Sequence, residues 1–150
     1  MNLLAYSNRE LLARIIKCEA GGEGEKGMKA VATVVMNRVH VSYGEYQRVC
    51  QGDLRKVIYQ KGQFDCVRGT IRGVANPQTI WATPPEQIHY DIADWALAGN
   101  KLWNIGESLW YFNPFRPICP NTFPYNGTGR LNSRIVEHCF YDPTELYSQT

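Results

Sequence analysis

The chain has 150 residues, 44% of them hydrophobic and 20% charged, with a formal net charge of +2. That length suits one domain, residues 1–150, with a substantial core, and so small a charge with no long basic run argues against nucleic acid as a partner. No stretch is apolar enough to span a membrane. The first twenty residues carry Asn2, Ser7, Asn8, Arg9 and Glu10 where a secretion signal needs a continuous apolar run, so neither membrane nor N-terminal export signal is expected.

In chain order, Ser7-Asn8-Arg9-Glu10 reads as a capping box, with Tyr6 and Leu11 placed as a hydrophobic staple, and predicts a helix from about Asn8 to Ala20 that ends at Gly21-Gly22. A second helix is predicted from about Glu25 to Val39, buried through Met28, Val31, Ala32, Val35 and Val39. Its many valines are poor helix formers, so it needs packing on all sides and reads as the central helix. Glu25 suits its N-terminus, and Asn37 and Arg38 near its end are expected to hold loops. Asp53 caps a short helix to Tyr59, and residues 62–67 read as a turn into an extended piece. Residues 68–82 show little periodicity. Thr83-Pro84-Pro85-Glu86 predicts another helix start, with Ile88, Ile92, Trp95 and Ala96 inward and Gly99 as the stop. The last third changes character: a strand over 108–112, a loop rich in Pro, Asn and Gly to about Asn132, then short strands at Ile135-Val136 and 138–141. The expected class is α+β, helices first and a small antiparallel sheet last.

Glu19 stands out in this pattern. Ile16, Ile15, Leu12 and Leu11 lie three, four, seven and eight positions before it, so its carboxyl continues the apolar stripe of the first helix. It also falls in the last turn, where the negative end of the helix dipole and partial burial both disfavour ionisation. A carboxyl held protonated near neutral pH is what a general acid needs.

The five cysteines stand at 18, 50, 66, 119 and 139, so at least one is unpaired in a monomer. A Cys119–Cys139 disulfide and two reduced thiols are equally compatible with the spacing. No Cys/His cluster has zinc spacing and no calcium loop is recognisable, so no metal or other cofactor is expected.

The run from Cys18 to Met28, with Glu19-Ala20-Gly21-Gly22-Glu23-Gly24 at its head, then Val34-Val35-Met36-Asn37-Arg38-Val39, resembles the SleB/CwlJ cell-wall hydrolases of spore germination. Ile58-Tyr59-Gln60 with Phe64 and Val67 continues the match. Leu109-Trp110-Tyr111-Phe112, Cys119-Pro120 and His138-Cys139-Phe140-Tyr141 resemble the CwlJ branch in particular. The resemblance implies a compact lysozyme-like domain, akin to resuscitation-promoting factors and lytic transglycosylases. It implies cleavage of glycan strands in spore cortex peptidoglycan bearing muramic-δ-lactam, with Glu19 as the catalytic carboxyl. It implies manufacture in the mother cell, a place at the boundary of spore coat and cortex, a coat-protein partner, and a link to calcium dipicolinate.

Glu23 is then the candidate second acid, although a loop-tying or helix-capping role competes with it. Gln63, Phe64, Trp110, Tyr111 and Asn113 are candidate cleft residues, because sugar faces stack on aromatic rings and hydroxyls need fixed polar partners. Core packing competes for each aromatic, since neighbouring strand residues face opposite ways. Rival readings are a cysteine hydrolase with Cys18 as nucleophile and His138 or His89 as base, a glycan-binding module without catalysis, and a vegetative or phage-type wall lysin. The first is disfavoured because a reactive thiolate prefers a helix N-terminus. The second is disfavoured because burying an idle acid costs stability.

Overall fold

The computed structural model describes residues 6–68, 70–76, 79, 80, 82 and 84–150. Its helices are α1 (Asn8–Ala20), α2 (Gly24–His40), α3 (Gly44–Cys50), α4 (Leu54–Tyr59) and α5 (Gln87–Leu97). A two-residue hairpin, β1 (Thr70–Ile71) and β2 (Val74–Ala75), lies between α4 and α5. The strands β3 (Trp110–Phe112), β4 (Gly129–Ile135) and β5 (His138–Pro143) form an antiparallel sheet in the order β3-β5-β4. The class is α+β, with helices first and the small sheet last, as the sequence pattern implies.

Helix α1 starts where Ser7 Oγ accepts from the Glu10 N–H at 3.1 Å. The reciprocal half of the expected box is not made, because the Glu10 carboxylate instead accepts from Arg14 Nε at 2.8 Å and Tyr90 Oη at 2.8 Å. Leu11, Leu12, Ile15 and Ile16 are wholly buried, as the spacing requires. In α2 every residue from Ala30 to Val39 is buried, so this helix is surrounded on all sides, by α1, α3, α4, α5 and the sheet.

Several boundaries differ from expectation for identifiable reasons. Helix α3 is not among the expected elements: its N-cap Tyr43 makes no side-chain cap bond, and its first residue, Gly44, has a φ of 76° and sits where an added Cβ would be 2.5 Å from the Tyr147 ring. Residues Asp65–Val67 form a 3-10 turn rather than an extended piece. The expected cap Thr83 lies outside the described residues. Helix α5 starts beyond the prolines, with Glu86 as its cap, and His89 Nδ1 accepts from the Glu86 N–H at 2.9 Å to complete a capping box. His89 therefore turns inward in place of Ile88, which is 37% exposed. Strand β3 begins at Trp110 because the Ser108 N–H closes a turn on the Ile105 carbonyl. Strand β4 reaches back to Gly129, into the expected loop, and Val136 forms the turn to β5 with a φ of 53°.

Two disulfides brace this frame. Cys119–Cys139 ties the long loop to β5, and Cys18–Cys66 ties the end of α1 to the 3-10 turn, while Cys50 is free and buried. The turn leading into β3 hangs on α2. Asn37 Nδ2 donates to the Gly106 carbonyl at 2.8 Å and to the Ser108 carbonyl at 2.9 Å. Asn37→Ala leaves both carbonyls without a donor in a site 3% exposed, and is expected to lower stability by about 2–3 kcal/mol, measured by urea unfolding.

Candidate active site

The apolar stripe of α1 delivers Glu19 to the floor of an open groove of about 590 Å³. The groove runs between the C-terminal end of α1, the residues before α5 and the start of β5, and His138, Asn113 and Glu23 line it with Glu19. Polar residues on the flank of α1 hold the opposite wall: Arg14 Nη1 donates to the Ile80 carbonyl at 2.6 Å and Lys17 Nζ to the Pro84 carbonyl at 2.8 Å.

Two groups touch the Glu19 carboxyl. Tyr111 Oη donates to Oε1 at 2.5 Å, and the Cys66 sulfur lies 2.7 Å from Oε2. A disulfide sulfur carries no proton, so Oε2 receives no hydrogen bond from it. Burial pushes the Glu19 carboxyl above the ordinary carboxylate range. The Tyr111 hydrogen bond and the field of Arg38 oppose that rise, and Asp65 adds to it. Tyr111 itself is held as the neutral phenol, by burial first and then by the neighbouring carboxyl.

The other candidates divide. Tyr111 meets Glu19 as a hydrogen-bond partner, and its ring packs edge-on to His138 with centroids 5.1 Å apart. Asn113 lines the groove, with its Oδ1 taken by the Phe115 N–H at 2.7 Å. Glu23 makes no cap bond to α2. Its Oε1 accepts from the Glu137 N–H at 3.2 Å, tying the β4–β5 turn to the head of α2, so the loop-tying reading holds and the helix-capping one does not. The same oxygen lies 3.2 Å from His138 Nδ1, at an angle that leaves that nitrogen without a hydrogen bond. Burial lowers the His138 pKa, against the pull of Glu23 and Glu137.

Gln63 and Trp110 line a separate pocket on the other side of Tyr111. Phe64 does not face a cleft: it is 3% exposed and packs in the core, with the Arg38 guanidinium over its ring at 5.2 Å. Its expected sugar-stacking role is corrected accordingly, because no ring face is open. The cysteine-hydrolase reading fails on covalent grounds, since Cys18 is in a disulfide and has no thiol, and His89 is occupied in capping α5. Cys18, Glu19 and Cys66 are the one cluster of metal-ligand types among the described residues. With both sulfurs in the disulfide, it has no thiolate to offer a cation.

Sequence reasoning missed Cys66, Asp65 and Arg38 as the surroundings of Glu19, and the Tyr111 partner bond spans 92 positions. No local pattern announces such contacts; only the aromatic character of the 110–112 strand hinted at one of them.

A set of packed helices with a small antiparallel sheet beside an open groove is the arrangement of a lysozyme-like fold. The chain belongs to the cell wall hydrolase family: the sequence profile described as Cell Wall Hydrolase matches residues 22–141, a stretch that begins just after Glu19. It is 30% identical over 135 residues to the cell wall hydrolase CwlJ of Bacillus subtilis, covering 90% of this chain and 84% of that one. It is 28% identical over 137 residues to CwlJ of Halalkalibacterium halodurans, covering 90% and 85%. Among solved structures, the catalytic domain of the germination-specific lytic transglycosylase SleB from Bacillus anthracis superposes with a TM-score of 0.66 at 24% identity, covering 91% of this chain and 97% of that one. The catalytic domain of SleB from Bacillus cereus does so with a TM-score of 0.62 at 25% identity, covering 91% and 92%.

Two outcomes follow from the Glu19 environment. A carboxyl whose pKa is higher folded than unfolded contributes stability that is complete below the unfolded value and is lost as pH rises through the folded value. Glu19→Gln cannot ionise, so its melting temperature is expected to match the native protein's near pH ~4 and to exceed it increasingly toward pH ~8. Thermal unfolding across that range reads the difference. Tyr111→Phe removes the hydrogen bond that favours the carboxylate, so the Glu19 titration, followed by carbon NMR of labelled glutamate, is expected to move upward.

Proposed function

We propose that this chain cleaves the β-1,4 glycan strands of bacterial spore cortex peptidoglycan, rich in muramic-δ-lactam, during germination, with Glu19 as the general acid and base. The observation that carries the reading is the Glu19 carboxyl, its pKa raised by burial, lining an open groove of about 590 Å³. The chain's similarity to a cell wall hydrolase and to a germination-specific lytic transglycosylase supports the substrate class and the setting.

Protonated Glu19 gives its proton to the glycosidic oxygen as the bond breaks. The carboxylate left behind is stabilised by the Tyr111 hydroxyl and by the nearby charge of Arg38. It then takes a proton in turn, either from the C6 hydroxyl of the muramic residue, closing a 1,6-anhydro ring, or from water. Hydrolysis by two carboxylates needs a second acid free to act across the cleaved bond. Glu23 is the candidate, but the Glu137 N–H holds it, and Glu86 is engaged in capping α5. This arrangement favours the anhydro product. Of the candidate cleft residues, Asn113 in the groove is the proposed glycan contact, while Tyr111 acts through Glu19 and Gln63 and Trp110 line the separate pocket. The proposal extends to a single catalytic domain over residues 1–150, made in the mother cell, held at the boundary of coat and cortex, and retained there by a coat protein. No helix among the described residues is long and apolar enough to cross a membrane.

Mass spectrometry of fragments released from δ-lactam-containing cortex peptidoglycan tests this. The native protein is expected to release anhydro-muramic ends, and Glu19→Gln to release them at least ~100-fold more slowly. Reducing ends, equally dependent on Glu19, would make the enzyme a hydrolase and return Glu23 to consideration. Equal cleavage of vegetative wall lacking the lactam would replace the cortex setting with a general wall lysin, and undiminished cleavage by the variant would overturn the role of Glu19.

A further inference from the structure

Beyond Tyr111 lies a second pocket of about 340 Å³, between the end of α2, α3, β3, the 123–128 segment and the C-terminal turn. Arg38 forms part of its lining, although the residue is only 4% exposed. A guanidinium has five N–H groups. Here Nε donates to the Leu109 carbonyl at 2.8 Å and Nη1 to Gln63 Oε1 at 3.4 Å, and the other three have no acceptor among the described residues. The Tyr46 and Phe64 rings flank the cation, with centroids 4.9 and 5.2 Å from Cζ. Aromatic faces ease the burial of a cation but accept few of its hydrogen bonds.

No carboxylate forms an ion pair with Arg38 among the described residues. Glu19 feels the field of Arg38 but does not pair with it. Glu45 also lines the pocket, but its Oε2 accepts from Gln60 Nε2 at 3.0 Å. A buried cation is ordinarily paired, and one with unused donors facing an open pocket is short of an anion.

We propose that this pocket is a binding site for a single carboxylate on a flat apolar body, with the Arg38 guanidinium as its cation. Trp110, Phe123 and Tyr147 supply the apolar walls, and Gln63 positions the guanidinium while itself held by Tyr46 Oη at 2.7 Å. Glu45 on the lining repels a second negative charge, so the site selects a monocarboxylate over a dianion. Two sources share this chemistry: a carboxylate of a peptide stem on the wall polymer, or a free small acid. The assignment does not depend on Glu19 being catalytic.

Isothermal titration of the full chain with benzoate and with its neutral isostere benzamide tests the site. Benzoate is expected to bind at least tenfold more tightly than benzamide. Gln63→Glu puts a carboxylate in place of the amide that faces Arg38, supplying the missing anion from within. It is expected to abolish benzoate binding while the melting temperature holds or rises, a result that loss of folding cannot imitate. Benzoate and benzamide binding alike, no binding of benzoate up to about 20 mM, or benzoate binding unchanged in Gln63→Glu would each overturn the proposal. Displacement of benzoate by stem-bearing muropeptides, but not by the same glycans with every muramic residue closed as the δ-lactam and so without a carboxylate, assigns the site to the wall polymer. Displacement by neither assigns it to a free acid, and equal displacement by both would show a sugar subsite instead and overturn the carboxylate assignment.

Discussion

A carboxyl placed at the end of an apolar stripe has to be buried, and the cost of burying it as an anion sets the protonation of Glu19. Glu19 cannot turn away from the core without breaking the phase of α1, whose Leu11, Leu12, Ile15 and Ile16 are wholly buried. The surroundings neither neutralise it with a close ion pair nor leave it bare. One phenol hydrogen bond and one distant guanidinium partly offset desolvation, and the net result is a raised pKa. A tight salt bridge would have held the group ionised at neutral pH, and so unable to serve in the proposed role of general acid. With no donor at all, the carboxylate formed on proton transfer would have had nothing to stabilise it.

The scaffold serves that compromise through a single buried helix. Because α2 is enclosed from Ala30 to Val39, the partners of its polar residues in that stretch lie within the fold. Asn37 and Arg38 find them in the backbone carbonyls that lead into β3. That anchorage sets where β3 begins, and β3 brings Tyr111 to Glu19. The register of the sheet completes the geometry: Tyr111 pairs with Phe140 on β5, and the β4–β5 turn before it is tied back to the head of α2 by Glu23. The disulfide from Cys18 to Cys66 presses the 3-10 turn against the carboxyl from another side. Arg38 thus belongs to two environments. It tempers Glu19 through its charge and lines the second pocket.

Much of the helical half was legible in the residues. Spacing alone bounded α1 and identified α2 as central, because apolar periodicity, an N-terminal Ser and a Gly stop are local signals with a direct physical cause. Errors collected where local signals were weak or competed. Helix α3 begins at Tyr43-Gly44, without a side-chain cap. Helix α5 starts after its prolines, where a glutamate and a histidine form the box in place of the expected threonine. The expected cleft role of Phe64 foundered on burial, which alternation along a short segment does not reveal.

What the sequence by itself determined was the class of fold, the helical phase that turns Glu19 inward, and the family motifs running from Cys18 to Tyr141. These depend on neighbours three, four or seven positions away, or on the order of short blocks. Only the tertiary structure decided what Glu19 touches. It paired Cys18 with Cys66 and so removed the one rival nucleophile. It brought Tyr111 across 92 positions to the carboxyl, and it left the Arg38 guanidinium lining a pocket with no ion-pair partner among the described residues. Contacts of that kind are set by the packing of whole elements against one another, and no pattern within a single element carries them.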